Sequence, residues 1–179
     1  MVRSMNYFAL FNIVPSFEID SVALSQTYQT LQKLTHPDKF ATASEREKRL
    51  SVQKNAQVND AYHVLKSPLS RAEHMLELRG LELKHEQQTI QDTPFLMQQM
   101  EWREQLEDMG SLSDPLSALE ALEDEIQAEL KVCFTELKGL LDENTPNQDQ
   151  QAANLVRKVK FLIKLRSEIE LKEEALSDI

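Results

Sequence analysis

Apolar residues recur at steps of three and four along most of this chain, the spacing that puts side chains on one face of an α-helix. Leu24, Tyr28 and Leu31 stand at i, i+4 and i+7 and predict a helix from Asp20 or Ser21 to about Thr35. Val58, Ala61, Tyr62 and Leu65 form the stripe of a longer helix, from about Glu45 to the Ser67-Pro68 break. The apolar run at 7–11 predicts one or two helical turns before them, and a short helix from Leu69 to Leu78 should stop near Gly80. After a polar stretch, Thr93-Pro94 and Asp114-Pro115 each place a capping side chain ahead of a proline, a helix-start signature. The helix after Asp114 carries Leu119, Leu122, Ile126, Leu130, Cys133, Leu137 and Leu140. It ends in "DENTPNQDQ", and a last helix carries Leu155, Val159, Leu162, Ile169 and Leu176. Period-two alternation is nearly absent. The fold class expected is therefore all-α: an N-terminal helical unit over 5–80, a connector over 81–93, and a three-helix antiparallel bundle over 94–179.

The break between the second and third helices, "LTHPDKFATASEREKR", is sharply written. Pro37 lacks a backbone donor and pushes His36 out of helical geometry, so the helix must stop there. Ser44 followed by Glu47 is a capping box that starts the next helix. Between these two signals, His36 and Asp38 are expected on a bend with both side chains facing outward. At such a bend Asp38 can accept a bidentate pair from a partner's Arg, and His36 can donate from one ring nitrogen while the other accepts.

Composition narrows the classes of function. With only 3 Gly among 179 residues there is no glycine-rich phosphate loop, and no nucleophile elbow or set of His and Cys at metal spacing occurs. The carboxylates lie on helix faces, where solvated charge is the default. Intrinsic catalysis and a resident metal or other cofactor are not expected. Cys133 is the only cysteine, which excludes an internal disulfide and suits a small buried side chain. His63, His74 and His85 are scattered and are expected at the surface. No apolar stretch approaches the ~20 residues that span a bilayer, so the protein should be soluble and cytoplasmic.

The net charge of −10 is unevenly spread. Residues 1–80 hold 10 basic and 8 acidic side chains, whereas 81–179 hold 10 and 22. Phosphate repulsion makes the second part a poor partner for nucleic acid. Within it, the helix after Thr93 is apolar on two faces. Phe95, Trp102, Leu106 and Met109 make a narrow core stripe, while Leu96, Met97 and Met100 fall roughly opposite, beside Glu101, Glu104 and Asp108. Those acids oppose full burial, because an unpaired buried carboxylate is costly. A Met-rich surface with an acidic edge suits an adaptable protein-binding patch. Phe161 lies about 200° from the core position Val159 on its helix, and so is expected to face outward between Arg157 and Lys164.

Tyr28 and Leu31 ahead of His36-Pro37-Asp38-Lys39, followed by "NDAYHVLKSP", resemble a J domain, which regulates the ATPase cycle of DnaK-type chaperones. Together with "NYFALF", "PLSRAEHML" and "DTPFLMQQMEWREQLE", the resemblance extends over residues 5–179 to the HscB family, J-type co-chaperones of iron–sulfur cluster assembly. It implies two partners: the specialised chaperone HscA, and the scaffold protein IscU that the C-terminal bundle captures. It also implies site residues. Lys33, His36, Pro37, Asp38 and Lys39 would meet the chaperone, and Leu96, Met97, Met100, Glu101, Glu104, Asp108 and Phe161 would meet the scaffold. Helix two of many J domains carries several basic residues, but "SQTYQTLQKLT" here offers only Lys33. Eukaryotic members add an N-terminal cysteine-bearing zinc module; its lack resembles the bacterial type, with Met1 to Ser4 an extension of no assigned role. The alternatives are a J-type co-chaperone for a different client and a non-catalytic assembly scaffold.

Overall fold

The computed structural model describes residues 5–83 and 92–178; the readings made for Met1 to Ser4, for His85 and for most of the connector fall outside them. The chain forms two compact units, Met1–Leu83 and Lys84–Ile179. Among the described residues there are seven α-helices, two 3₁₀ turns and no strand.

The first unit contains α1 (Tyr7–Leu10), α2 (Ser21–Thr35), α3 (Glu45–Lys66) and α4 (Pro68–Leu78), with a 3₁₀ turn Pro37–Phe40 between α2 and α3. Asp20 is the residue that caps α2, its Oδ1 accepting from the N–H groups of Val22 and Ala23 at 3.0 Å each. The capping box at α3 is complete: Ser44 Oγ accepts from Glu47 N–H, and Glu47 accepts from Ser44 N–H at 3.0 Å. Hydrogen bonds from the Ser44 backbone and hydroxyl hold the Glu47 carboxyl below its usual value. At the end of α4, Gly80 takes φ +90°. This lets Leu81 N–H reach the Leu76 carbonyl at 3.0 Å and Gly80 N–H reach that of Glu77, closing the helix as a Schellman motif.

The α2 and α3 helices pack as a hairpin. Tyr28 stacks on Tyr62 with ring centroids 4.0 Å apart, and its hydroxyl donates to Asn59 Oδ1 at 2.7 Å. One turn nearer the tip, Asn55 Nδ2 donates to Thr35 Oγ1 at 3.1 Å. Beneath the hairpin, Arg71 is buried and acts as a polar staple. Its Nε donates to the Phe17 carbonyl at 2.6 Å and its Nη1 to that of Leu65 at 2.8 Å, while the guanidinium lies over the Phe17 ring. That contact ties the segment before α2 to the end of α3.

His74 departs from expectation. It is buried rather than on the surface, because the apolar turn at 7–11 folds over α4. Its Nε2 accepts from Tyr7 N–H at 3.1 Å, and the Tyr7 and Phe8 rings stack on the imidazole. His63 is exposed, as expected.

The second unit contains α5 (Thr93–Asp108), a 3₁₀ turn Met109–Ser111, α6 (Pro115–Glu143) and α7 (Pro146–Ser177). Asp92, not Thr93, caps α5, its Oδ1 accepting from Phe95 N–H at 3.1 Å. The carboxylate one residue earlier outcompetes the hydroxyl because Thr93 is already in the helix. Asp114 caps α6 as read. The turn into α7 uses Asn144 in the left-handed region at φ 50°, followed by Thr145, which accepts from Gln148 N–H. The seam of α6 and α7 joins Leu119, Leu122, Ile126, Leu130, Cys133 and Leu137 to Val159, Leu162, Leu165 and Ile169, all buried. At its far end Leu141 takes the core place expected of Leu140, which is half-buried, because the buried positions there step by four. Leu176 is also only half-buried. Cys133 sits in this seam, where burial above all pushes its thiol up and keeps it protonated.

Burial holds His74 below its ordinary value of 6.5. A base depressed on folding contributes stability above the unfolded value, and that contribution is lost as pH falls through the lower folded value. NMR titration should therefore place His74 below 6.5. His74→Gln, which keeps an acceptor for Tyr7 but cannot titrate, should show a shallower loss of unfolding free energy from about pH 7 to 5 than the wild type.

Candidate functional site

Two surfaces, one on each unit, carry the candidate residues. In the first unit the α2–α3 hairpin ends in the His-Pro-Asp turn. His36 adopts extended geometry (φ −62°, ψ 131°), and Pro37 begins the 3₁₀ turn. The ring Nδ1 of His36 accepts from Asp38 N–H at 3.2 Å, which leaves Nε2 as the N–H of the neutral imidazole. The same Nδ1 lies 3.5 Å from Asp38 Oδ2. A local turn bond thus orients the imidazole without consuming the Asp38 carboxylate, whose side chain is 93 % exposed against 49 % for His36. Lys33, in the last turn of α2, and Lys39, in the 3₁₀ turn, are both exposed and flank it. A carboxylate and a ring donor at fixed separation, with cations on either side in the sequence, can engage a partner's charged surface.

In the second unit α5 exposes one face. Leu96 is 36 % exposed, Met97 59 % and Met100 72 %, while Phe95, Trp102 and Leu106 turn inward. Glu101, Glu104 and Asp108 continue the exposed face. Trp102 locks the inward face: its Nε1–H donates to Glu125 Oε1 at 2.8 Å, and its ring meets Phe95 edge-on at 6.4 Å. On the other flank Arg103 pairs with Glu168, and Lys172 Nζ donates to the Leu106 carbonyl. Lys158 stands over the Phe95 ring and pairs with Glu129 at 2.7 Å. Burial draws that ammonium down, but the bond to Glu129 and the nearby charges raise it on balance.

Phe161 does not stand free as its helical angle suggested. It is half-buried, edge-on to Phe95 at 5.7 Å and stacked on Trp102 at 6.4 Å, with the Arg103 guanidinium over its ring. Helical angle alone missed this because α5 covers that side of α7. One edge of Phe161 still borders a surface hollow of about 410 Å³ shared with Gln99, Met100, Arg103 and Glu104. Sequence reasoning did not single out Arg103, Glu125 or Glu168, which hold α5 in place. The Glu168–Arg103 pair had no local signal, since its members lie 65 residues apart.

Among the described residues, no group of three His, Cys, Asp or Glu side chains could hold a metal ion, and no helix is long and apolar enough to cross a membrane. A helical hairpin tipped by His-Pro-Asp, followed by a helical unit with an exposed apolar stripe, is the arrangement that the resemblance to J-type co-chaperones implies. Residues 91–170 match the family described as the HSCB C-terminal oligomerisation domain. A "Co-chaperone protein HscB homolog" from Pseudoalteromonas atlantica is 67% identical over 97% of this chain and 99% of its own. The solved chaperone HscB from Vibrio cholerae superposes with a TM-score of 0.85 at 44% identity, covering 96% of this chain and 99% of its own. Human co-chaperone protein HscB also gives 0.85, at 29% identity, covering 95% of this chain and 83% of its own. The chain belongs to the HscB family of co-chaperones.

The packing around Phe161 separates structural from exposed residues. Phe161→Ala should lower the unfolding free energy of the full chain by about 1.5–2.5 kcal/mol, roughly half the cost of emptying a fully buried aromatic site. Met100→Ala should stay within about 0.5 kcal/mol. Denaturant titration of both variants checks the pair.

Proposed function

We propose that this protein stimulates the ATPase of a specialised DnaK-type chaperone, HscA, through its His36-Pro37-Asp38 turn. In the same reading it captures the iron–sulfur scaffold protein IscU through α5, in the cytoplasm. The observation that carries the first part is the turn itself, a solvent-facing Asp38 and an oriented His36 at the tip of a braced hairpin. Such a group acts by binding one state of the chaperone better than another; it makes and breaks no bond of its own. Lys33, Pro37 and Lys39 belong to this contact.

For the second part, Leu96, Met97 and Met100 supply the apolar anchor, with Glu101, Glu104, Asp108 and the exposed edge of Phe161 around them. Burying three such side chains yields roughly 1.5–3 kcal/mol each before ordering costs. A micromolar complex requires about 8 kcal/mol. The apolar stripe can thus provide much of the affinity, leaving the carboxylates to set orientation and association rate.

Chaperone ATPase rate titrated with this protein, with and without the scaffold, tests both parts. Asp38→Asn or His36→Gln should abolish stimulation while changing fold stability by less than about 1 kcal/mol; stimulation retained in both would overturn the trigger assignment. Met97→Ala with Met100→Ala should weaken scaffold binding through faster dissociation at every salt concentration. Glu101→Ala with Glu104→Ala should instead weaken it most at low salt, where screening is least. Scaffold binding unchanged in both double variants would disprove the α5 assignment.

A further inference from the structure

Sulfur is distributed unevenly between the inside and the outside of this molecule. Among the described residues, Met97 and Met100 are the two most exposed methionines, at 59 % and 72 %. Met5 follows at 45 %, whereas Met75 and Met109 are buried. The two leading thioethers stand at i and i+3 on α5, so both lie on the face that Leu96 shares. The single thiol is shielded. Cys133 is buried in the seam of α6 and α7, where desolvation favours its protonated, unreactive form. A thiolate would otherwise be the first group to meet an oxidant. With it withdrawn, the sulfur most open to a small diffusing oxidant is that of Met97 and Met100.

A thioether reacts with hydrogen peroxide without any help from the protein. A sulfur lone pair attacks one peroxide oxygen, the O–O bond breaks and an S–O bond forms. The leaving hydroxide takes the proton from the transferred oxygen and departs as water. Each sulfur loses two electrons, and each peroxide gains two. The product is a sulfoxide, which is polar, accepts strong hydrogen bonds and is returned to the thioether by dedicated reductases. In the free protein water satisfies the new oxygen. In an apolar contact that water is lost, and a buried acceptor without a donor opposes binding. The neighbours on α5 supply no donor: Glu101 and Glu104 stand at i+4 from Met97 and Met100, and a carboxylate only accepts.

We propose that Met97 and Met100 form a reversible oxidation site, at which peroxide converts both thioethers to sulfoxides and so releases the client from α5. The inference rests on the reading of α5 as the client-binding helix. The site lies on the second unit and the His36-Pro37-Asp38 turn on the first, so oxidation removes client capture and spares client-free stimulation of the chaperone.

The full chain is treated with hydrogen peroxide, quenched with catalase, and mapped by peptide mass spectrometry. Met97 and Met100 should each gain one oxygen, and Met75 and Met109 should gain it only when the chain is unfolded first. Circular dichroism should show unchanged helicity. Titrated against the client scaffold protein, the oxidised chain should bind at least about tenfold more weakly, as an unpaired buried acceptor requires. Reductases for both sulfoxide epimers should restore the original affinity. The double variant Met97→Leu, Met100→Leu should show the same affinity before and after peroxide, whatever its starting value. Met5→Leu should lose affinity on treatment as the wild type does. Unmodified Met97 and Met100, unchanged affinity once both are oxidised, or a loss that the reductases do not reverse would overturn the oxidation site. So would an equal loss in the double Leu variant, which would trace the effect to other groups. The untreated double variant Met97→Ala, Met100→Ala separates the two ideas. Full affinity there removes the client-binding reading itself, whereas weakened binding there beside full affinity in the oxidised wild type removes the oxidation site alone.

Discussion

The register lock between α2 and α3 governs what the first unit can present. A proline can stop a helix, but it cannot choose where the next helix returns. The Tyr28–Tyr62 stack, the Tyr28–Asn59 bond and the Asn55–Thr35 bond set that return. Slide α3 by one residue and these side chains rotate by about 100°, so stack and bonds fail together. Because the lock reaches the last turn of α2, the His36-Pro37-Asp38 bend starts from a fixed base, and its side chains are oriented before a partner arrives. Pre-orientation of this kind lowers the ordering cost of a small polar contact.

The second unit solves a different problem. A helix that shows apolar side chains to solvent has no internal reason to stay docked, so it must be held by its other faces. Trp102 bonded to Glu125, Arg103 paired with Glu168, and Lys172 bonded to the Leu106 carbonyl hold α5 from both flanks. These partners come from α6 and α7, whose own seam is apolar and buried from Leu119 to Leu141. Rigidity is thus borrowed from a long hairpin, and the exposed methionines supply the local adaptability that a protein surface of this kind uses.

The two buried ionisable groups of the first unit show how polarity is used inside small helical folds. Arg71 and His74 sit on α4, a helix of 11 residues, and both reach main-chain groups of distant segments. Neither pairs with a carboxylate in these contacts. Backbone carbonyls satisfy the guanidinium, and a backbone N–H satisfies a neutral imidazole, so each side chain fastens an otherwise irregular stretch where a purely apolar contact would leave main-chain polar groups unpaired.

Local signals determined a large part of this protein from the chain alone. Helix positions followed from the three-and-four spacing, the capping box at Ser44 and Glu47, and the Asx and Pro starts, all of which act within one or two turns. The His36-Pro37-Asp38 bend and the exposed Leu96, Met97 and Met100 were legible for the same reason: proline geometry and helical phase are short-range. Three things were decided only when helices met. His74 is buried because the turn at 7–11 closes over α4, Phe161 is half-covered because α5 lies against its side of α7, and a surface hollow that Glu101, Glu104 and Asp108 of α5 share with Ala121 and Glu125 of α6 exists only where those two helices face each other. Helical phase states which residues share a face; which face another helix covers depends on packing between residues tens of positions apart, and no window of a few turns contains that.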